Sequence, residues 1–301
     1  MKSLQNHTAL ITGAASGIGR ALAQALAAEG CHLYLVDRDS DGLSALQKDL
    51  NSAVLQVRTH VCDLSSPDQI TAMVAAAVAE TNGIDLLINN AGIACYGPTH
   101  QMTMRQWNQV LQINLLAPVQ ITQELLPHLL LRRDPHIVNM CSISGLVAGG
   151  RFTAYHTSKF GLVGFTEALR GEYRRQGIGV TAICPGPVTT QLYRDASSSR
   201  TDGKVPQPPE WACATPETVA RRTLLAIRRN ERQVLITPMA HLLFQLKRFL
   251  PGLIDFANGF SRHGKKKRLQ QVAAYEQQLS NNAAVQCATP PADSGTHRKA
   301  A

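Results

Sequence analysis

The sequence predicts a doubly wound, Rossmann-like α/β fold: a parallel sheet with helices on both faces, followed by a helical appendage. Three observations predict it. Short apolar runs of strand length alternate with helix-patterned segments from Thr8 to Ile236, the alternation that a parallel sheet requires. The first run joins the first helix through a glycine-rich turn, Gly13-Ala14-Ala15-Ser16-Gly17-Ile18-Gly19. Gly13, Asp37, Asp63, Asn89, Ser142 and Pro185 each follow the end of an expected strand, so they line the one sheet edge where such folds bind ligands.

Thr8 to Thr12 reads as a short buried strand. The turn after it can bring backbone N–H groups onto a pyrophosphate at the start of an Ala/Leu-rich helix, Arg20 to Ala28. His32 to Val36 is a second strand. It ends at Asp37, which is either a partner for adenosine ribose hydroxyls or a cap for the next helix, as Asp39 and Ser40 also are. A helix over Asp41 to Leu50 leads to a third strand from Val54 to about Cys62, with Asp63-Leu64 beside the expected adenine position. Pro67 opens a helix to Glu80. Ile84 to Ile88 is a fourth strand, closed by Asn89-Asn90-Ala91-Gly92, small and amide residues that let the chain pass close to a ribose.

Thr103 to Leu131 reads as one long helix that Pro118 and Pro127 bend or divide. Asn114 lies on its apolar stretch, either as a satisfied core amide or as a site residue. His136 to Met140 is a fifth strand, Tyr155 to Gln176 a helix, and Gly179 to Cys184 a sixth strand stopped by Pro185-Gly186-Pro187. Residues 190–214 form a loop over a pocket. A helix capped by Thr215 runs to Arg229, and Gln233 to Ile236 is a last strand.

Composition limits what the chain can do. Of 301 residues, 44% are hydrophobic and 17% charged, enough for a full core. The seven cysteines show no Cys-x-x-Cys spacing, so no metal site or disulfide framework is expected, and a reducing, cytoplasmic setting is. No signal peptide and no membrane-spanning run is read. The net charge of +9 is concentrated between Arg221 and Arg268, where twelve Lys/Arg face two acids, Glu231 and Asp255. Lys265 to Arg268 has no interleaved aromatic residue, which argues against nucleic-acid binding and for a solvated basic stretch.

Tyr155 and Lys159, four apart, share one helix face, and Ser142 follows a strand end. A hydroxyl, a phenol and an ammonium converging on one point suit proton transfer at a carbonyl or alcohol. The lysine favours the phenolate, and the serine holds the oxygen where charge develops.

Thr12-Gly13-x-x-x-Gly17-x-Gly19, Asn89-Asn90-Ala91-Gly92, Asn114, Ser142, Tyr155-x-x-x-Lys159 and Pro185-Gly186 together resemble the short-chain dehydrogenase/reductase family over about Leu4 to Ile236. The resemblance implies an oxidoreductase passing hydride between a nicotinamide and a carbonyl or secondary alcohol carbon. Tyr155 would be its acid/base, Ser142 the partner of the substrate oxygen and Lys159 the ribose ligand. Asn114 would shape the helix that holds a relay water. The cofactor cradle would take in Gly13, Ser16, Gly17, Ile18 and Gly19; Asp37 and Arg38; Asp63 and Leu64; Asn90, Ala91 and Gly92; Tyr155 and Lys159; and Pro185, Gly186, Val188 and Thr190. Asp37 favours NAD by repelling a 2′-phosphate, while Arg38, able to swing toward that phosphate, keeps NADP open. The other reading is a non-catalytic dinucleotide sensor or scaffold on the same fold.

Arg151, Phe152, Thr153, Leu192, Tyr193 and Trp211 are expected around an apolar ketone or alcohol. A homodimer or homotetramer is expected. Residues 1–237 form the catalytic domain, 238–277 a basic helical appendage and 278–301 a disordered tail. In the appendage, Leu242, Leu243, Leu246, Phe249 and Leu250 gather on one helical side, opposite His241, Gln245, Lys247 and Arg248. A second short helix is expected from Leu253 to Phe260. The apolar side packs either on the enzyme or a dimer partner, or on a membrane surface whose anionic lipid meets the basic residues.

Overall fold

The computed structural model describes residues 1–50, 55–190, 192, 196–198, 205–253, 256 and 272–277. Two compact units divide the chain, Met1–Pro251 and Gly252–Ala301. The first begins with β1 (Thr8–Thr12), α1 (Gly17–Ala28), β2 (His32–Asp37), α2 (Ser40–Leu50), β3 (Val57–Val61), α3 (Pro67–Glu80) and β4 (Leu86–Asn89). After a two-residue strand β5 (Cys95–Tyr96) come α4 (Met104–Leu111), α5 (Ala117–Leu129), β6 (His136–Met140), α6 (Thr153–Tyr173) and β7 (Gly179–Cys184). The unit closes with β8 (Ser197–Ser198), α7 (Pro216–Arg229), β9 (Gln233–Leu235) and α8 (Pro238–Phe249).

Seven strands form one parallel sheet in the order β3-β2-β1-β4-β6-β7-β9. From β1 the chain winds outward to β2 and β3, then returns past β1 to β4. The strand order therefore reverses between β1 and β4, which opens a crevice at their carboxyl ends. The strands are apolar on both faces because both are covered. Leu22 and Leu26 of α1, Leu43 and Leu46 of α2, and Leu224 and Ile227 of α7 pack on one face. Ile70 and Met73 of α3, Ile121 and Leu125 of α5, and Leu169 of α6 pack on the other.

The helix expected from Thr103 to Leu131 is divided. Thr103 caps α4 in a reciprocal capping box with Gln106. A wide π turn, Gln112–Leu116, then leads into α5. Pro118 explains it: the residue has no N–H for the Asn114 carbonyl four positions back, and its ring crowds that carbonyl. The backbone widens, and the Ala117 N–H reaches Gln112 O instead. Pro127 lies inside α5 without ending it.

The 190–214 region is not all loop. β8 pairs with β5, and the Val188–Ala214 bridge closes its base. α7 has its Thr215 cap, which accepts the Thr218 N–H. α8 begins at the Thr237 cap and belongs to the first unit. It turns Ala240, buried, and Leu243, Phe244 and Lys247, half-buried, inward. Lys247, expected on the solvent side, is thus an inner residue, and Leu242, Phe249 and Leu250 are 59%, 69% and 53% exposed. In the second unit the described residues include a helical stretch, 272–277. Most of the helix expected from Leu253 to Phe260, and the tail from residue 278, lie outside the described residues. Among the described residues no helix is long and apolar enough to cross a membrane, and no group of His, Cys, Asp or Glu is arranged to hold a metal ion.

Candidate active site

The crevice at the switch point holds a cleft of about 280 Å³. Its floor is the turn between β1 and α1. Gly13 has φ +67°, and a Cβ there would lie 2.8 Å from the Ala91 Cα; only glycine permits both. Gly19 is bare for another reason, since a Cβ would run into the Gly13 carbonyl. Gly19 therefore closes the turn on its helix and is absent from the cleft wall, while Gly13, Ser16, Gly17 and Ile18 line it. Ser16, the N-cap of α1, makes no side-chain cap bond, so the first N–H groups of α1 remain for an anion.

Asp37 ends β2 on the same wall, with Arg38 beside it. Its two oxygens accept the Ala15 N–H (3.0 Å) and the Asp39 N–H (3.1 Å), which fixes the carboxylate against the glycine turn. Asp63 and Leu64 follow β3 and line the adjoining wall; Asp63 accepts the Ser65 N–H at 2.9 Å. Asn90, Ala91 and Gly92 follow β4. The Asn90 amide donates to Thr12 O and Gly13 O, and the Thr12 hydroxyl oxygen accepts the Asn90 and Ala91 N–H groups. This side chain laces two strand ends together through its Nδ2 and still lines the cleft. Pro185, Gly186, Val188 and Thr190 complete the cleft beyond β7.

Ser142, Tyr155 and Lys159 stand on one side of this cleft. Ser142 follows β6 and opens a 3-10 turn, Ile143–Gly145, with its Oγ accepting the Ser144 N–H at 3.1 Å. Its own hydroxyl proton is thereby left to donate. Lys159 is buried and donates one proton to Met140 O at 2.8 Å. Burial pushes its pKa below the usual lysine range, and nearby Cys141 and Cys184 act the other way. Its Nζ is 5.8 Å from the centre of the Tyr155 ring. Asn114 is wholly buried behind the wall. Its Oδ1 accepts the Ile93 N–H (2.8 Å), and its Nδ2 donates to Ile93 O (2.9 Å) and to Ser158 Oγ (3.1 Å). Asn114 is thus a satisfied core amide, and it holds the cleft-lining residue Ile93.

Of the six residues expected around a substrate, Leu192 lines the cleft. Phe152 packs between Tyr96 and Tyr155, with ring centres 4.9 and 6.3 Å away. Thr153 bonds Thr99, exposed Arg151 lies over Tyr96, and Trp211 is 84% exposed. Tyr193 lies outside the described residues. Sequence reasoning missed Ile93, Ala94 and Ile113 as lining residues; the apolar run after Gly92 was the available signal.

These features put the protein among the nicotinamide-dependent oxidoreductases, which pass hydride between the cofactor and a carbonyl or alcohol carbon. A model of the short chain dehydrogenase family matches residues 7–201, and the chain belongs to that family. A putative ketoacyl reductase of granaticin polyketide synthase from Streptomyces violaceoruber is 40% identical over 186 residues, 61% of this chain and 68% of that protein. A family member from Burkholderia phymatum, solved with NAD, superposes with TM-score 0.75 at 26% identity, covering 84% of this chain and 96% of that one. A metagenomic short-chain oxidoreductase solved with NADP has TM-score 0.66 at 27% identity, covering 78% and 98%.

Proposed function

We propose that Tyr155 is the acid/base of this enzyme, with Ser142, Lys159 and Asn114 in support. The convergence of Ser142, Tyr155 and Lys159 on a cleft that begins at a helix N-terminus with no side-chain cap bond carries this reading. A nicotinamide dinucleotide suits the residues present, because the bare Gly13 and Gly17 and the uncapped start of α1 accommodate a pyrophosphate. When bound, it supplies or accepts the hydride. In reduction the Tyr155 hydroxyl gives its proton to the substrate oxygen; in oxidation the same oxygen takes one back. The Ser142 hydroxyl donates to that oxygen as its charge grows. The Lys159 ammonium, anchored on Met140 O, favours the phenolate and has two protons left for ribose hydroxyls. Asn114 fixes Ile93, and its carbonyl, denied the Pro118 N–H, accepts a relay water.

NAD is the proposed cofactor. The Asp37 carboxylate is fixed by two backbone N–H groups, so a 2′-phosphate meets a negative charge that cannot turn away. A like charge nearby costs about 4 kcal/mol at a surface-like dielectric, and exposed Arg38 offsets part of it. We expect kcat/KM with NAD(H) to exceed that with NADP(H) by about tenfold or more, and Asp37→Ala to narrow or invert the ratio. A wild-type preference for NADP(H) sinks the assignment.

The apolar lining residues Ile93, Ala94, Ile113 and Leu192 support an apolar ketone or alcohol, and the name of the Streptomyces relative puts ketoacyl compounds in the test. Absorbance of the reduced nicotinamide is followed with apolar ketones, ketoacyl compounds and polyols. Apolar carbonyls should give the highest kcat/KM; a polyol as the best substrate overturns the proposal. No turnover with any substrate points to the sensor or scaffold reading. The six free cysteines among the described residues, five of them buried, support a reducing, cytoplasmic setting.

The exposed ridge of Leu242, Phe249 and Leu250 is proposed to rest on anionic membrane, with exposed Arg248 meeting lipid phosphate. The intact chain should float with anionic vesicles and lose this as salt rises; Leu242→Ser with Phe249→Ser should abolish it. Failure to float, with the double variant instead lowering the dimer or tetramer to a smaller species, makes the ridge an interface between copies.

A further inference from the structure

We propose that Lys247, in a helix beyond the family-matched residues 7–201, is a positioning residue for Ser142. It acts by fastening the turn that carries that serine. The inference rests on the role given above to Ser142.

The turn after Ser142 is held at three places. Beneath it, the Ile143 N–H donates to Pro185 O at 2.8 Å, and Gly145 lies so close to α6 that a Cβ would come within 2.6 Å of Lys159 O. From α6, His156 donates from Nδ1 to Ser144 O (2.9 Å) and accepts the Gly149 N–H at Nε2 (3.1 Å). From α8, the Lys247 ammonium donates to Leu146 O at 2.6 Å and lies 4.5 Å from the centre of the Phe160 ring. Two carbonyls of the turn, Ser144 O and Leu146 O, therefore end on side chains from two different helices. Lys247 and Leu146 are 101 residues apart in sequence, and the first bond of the turn is the Ser144 N–H to Ser142 Oγ. Motion at Leu146 is one turn away from the oxygen that faces the cleft.

An ammonium suits this place because it meets two different demands. It gives a charge-assisted hydrogen bond to a carbonyl and a cation–π contact to a half-exposed ring. Its half-buried stem carries the ammonium from α8 to Phe160 of α6. Methionine supplies the stem without the charge. Arginine keeps the charge and can keep the hydrogen bond.

The test uses the full chain with Lys247→Met and Lys247→Arg. Amide hydrogen exchange is read over residues 143–149 and over α8, nucleotide affinity by reduced-nicotinamide fluorescence, and kcat on the best carbonyl of the substrate panel. For Lys247→Met, faster exchange at 143–149 is expected, with kcat down about tenfold and nucleotide affinity within about twofold of wild type; Lys247→Arg should recover most of both. Unchanged exchange at 143–149 overturns the proposal, even if α8 itself loosens, since that shows a helix anchor and nothing more. So does faster exchange with unaltered kcat. If Ser142→Ala retains full turnover, the catalytic role of Ser142 fails by itself, while exchange still reports whether the tether exists.

Discussion

Replacing Tyr155 with phenylalanine is expected to lower kcat by about a thousandfold or more, the upper range for loss of a positioned acid/base. Only the hydroxyl goes. The ring keeps its edge contact with Phe152, 6.3 Å between centres, and Ala154 and Ser158 around it stay buried, so the helix has no cavity to absorb. Nucleotide affinity, read by fluorescence of the reduced nicotinamide, should stay within about threefold of wild type because the anion-binding end of the cleft is untouched. Turnover within a few-fold of wild type would remove Tyr155 from the mechanism. A joint collapse of affinity and melting temperature would mean that the hydroxyl serves the fold.

The second large effect lies at the opposite end of the sheet. His136 begins β6 and is fully buried. The Thr181 hydroxyl gives its one proton to Glu231 O at 2.6 Å, so it must accept from His136 Nε2 at 2.9 Å. That places the ring proton on Nε2. Nδ1 is then a buried acceptor with no hydrogen-bond partner among the described residues, turned toward Gly179, where a Cβ would strike it. Protonating Nδ1 puts a charge in that apolar space. Burial, with help from the N-terminal amine and Arg170, pushes the pKa down to about 3.

The sign follows from which state takes the proton. Below about pH 6.5 the unfolded chain binds one at His136 and the folded chain does not. This contribution is therefore complete above the unfolded value and is lost as pH falls toward about 3, at about 1.4 kcal/mol per pH unit. Urea unfolding at pH about 7 and about 4.5 should show wild type losing about 2 to 3 kcal/mol more than His136→Gln, whose amide still serves Thr181. Equal losses would show that His136 titrates normally in the folded protein.

Much of this was legible in the sequence, because strand and helix periodicities differ and each ligand-facing residue closes a strand. Gly13, Asp37, Asp63 and Ser142 stand on one cleft for that reason. What was not legible depends on three-dimensional distance or on the fate of one bond. Pro118 announced a disturbance, but nothing local says whether a helix breaks or widens. A helical wheel put Lys247 on the side opposite the leucines, whereas it is half-buried and its ammonium finds Leu146 O. Trp211 and Arg151 have the character of pocket residues and lie away from the cleft. Which groups the Asn90 amide would bond was not legible either: its N–H groups go to Thr12 O and Gly13 O.

The widened turn between α4 and α5 has a consequence for how this chain can change. A π turn is a helix carrying one residue more than the regular repeat needs. Deleting one position other than Asn114 between Gln112 and Leu116 would remove the residue that lets the backbone widen, while Pro118 would still bar an ordinary α-helical turn there, so α4 could not keep its phase relative to α5. Asn114 would swing off Ile93 and Ser158, and α4 would present a different side to α6. Side chains in this stretch can be exchanged one at a time at graded cost, but its length cannot. A variant series that varies spacing here should find a single permitted length, whatever residues fill it.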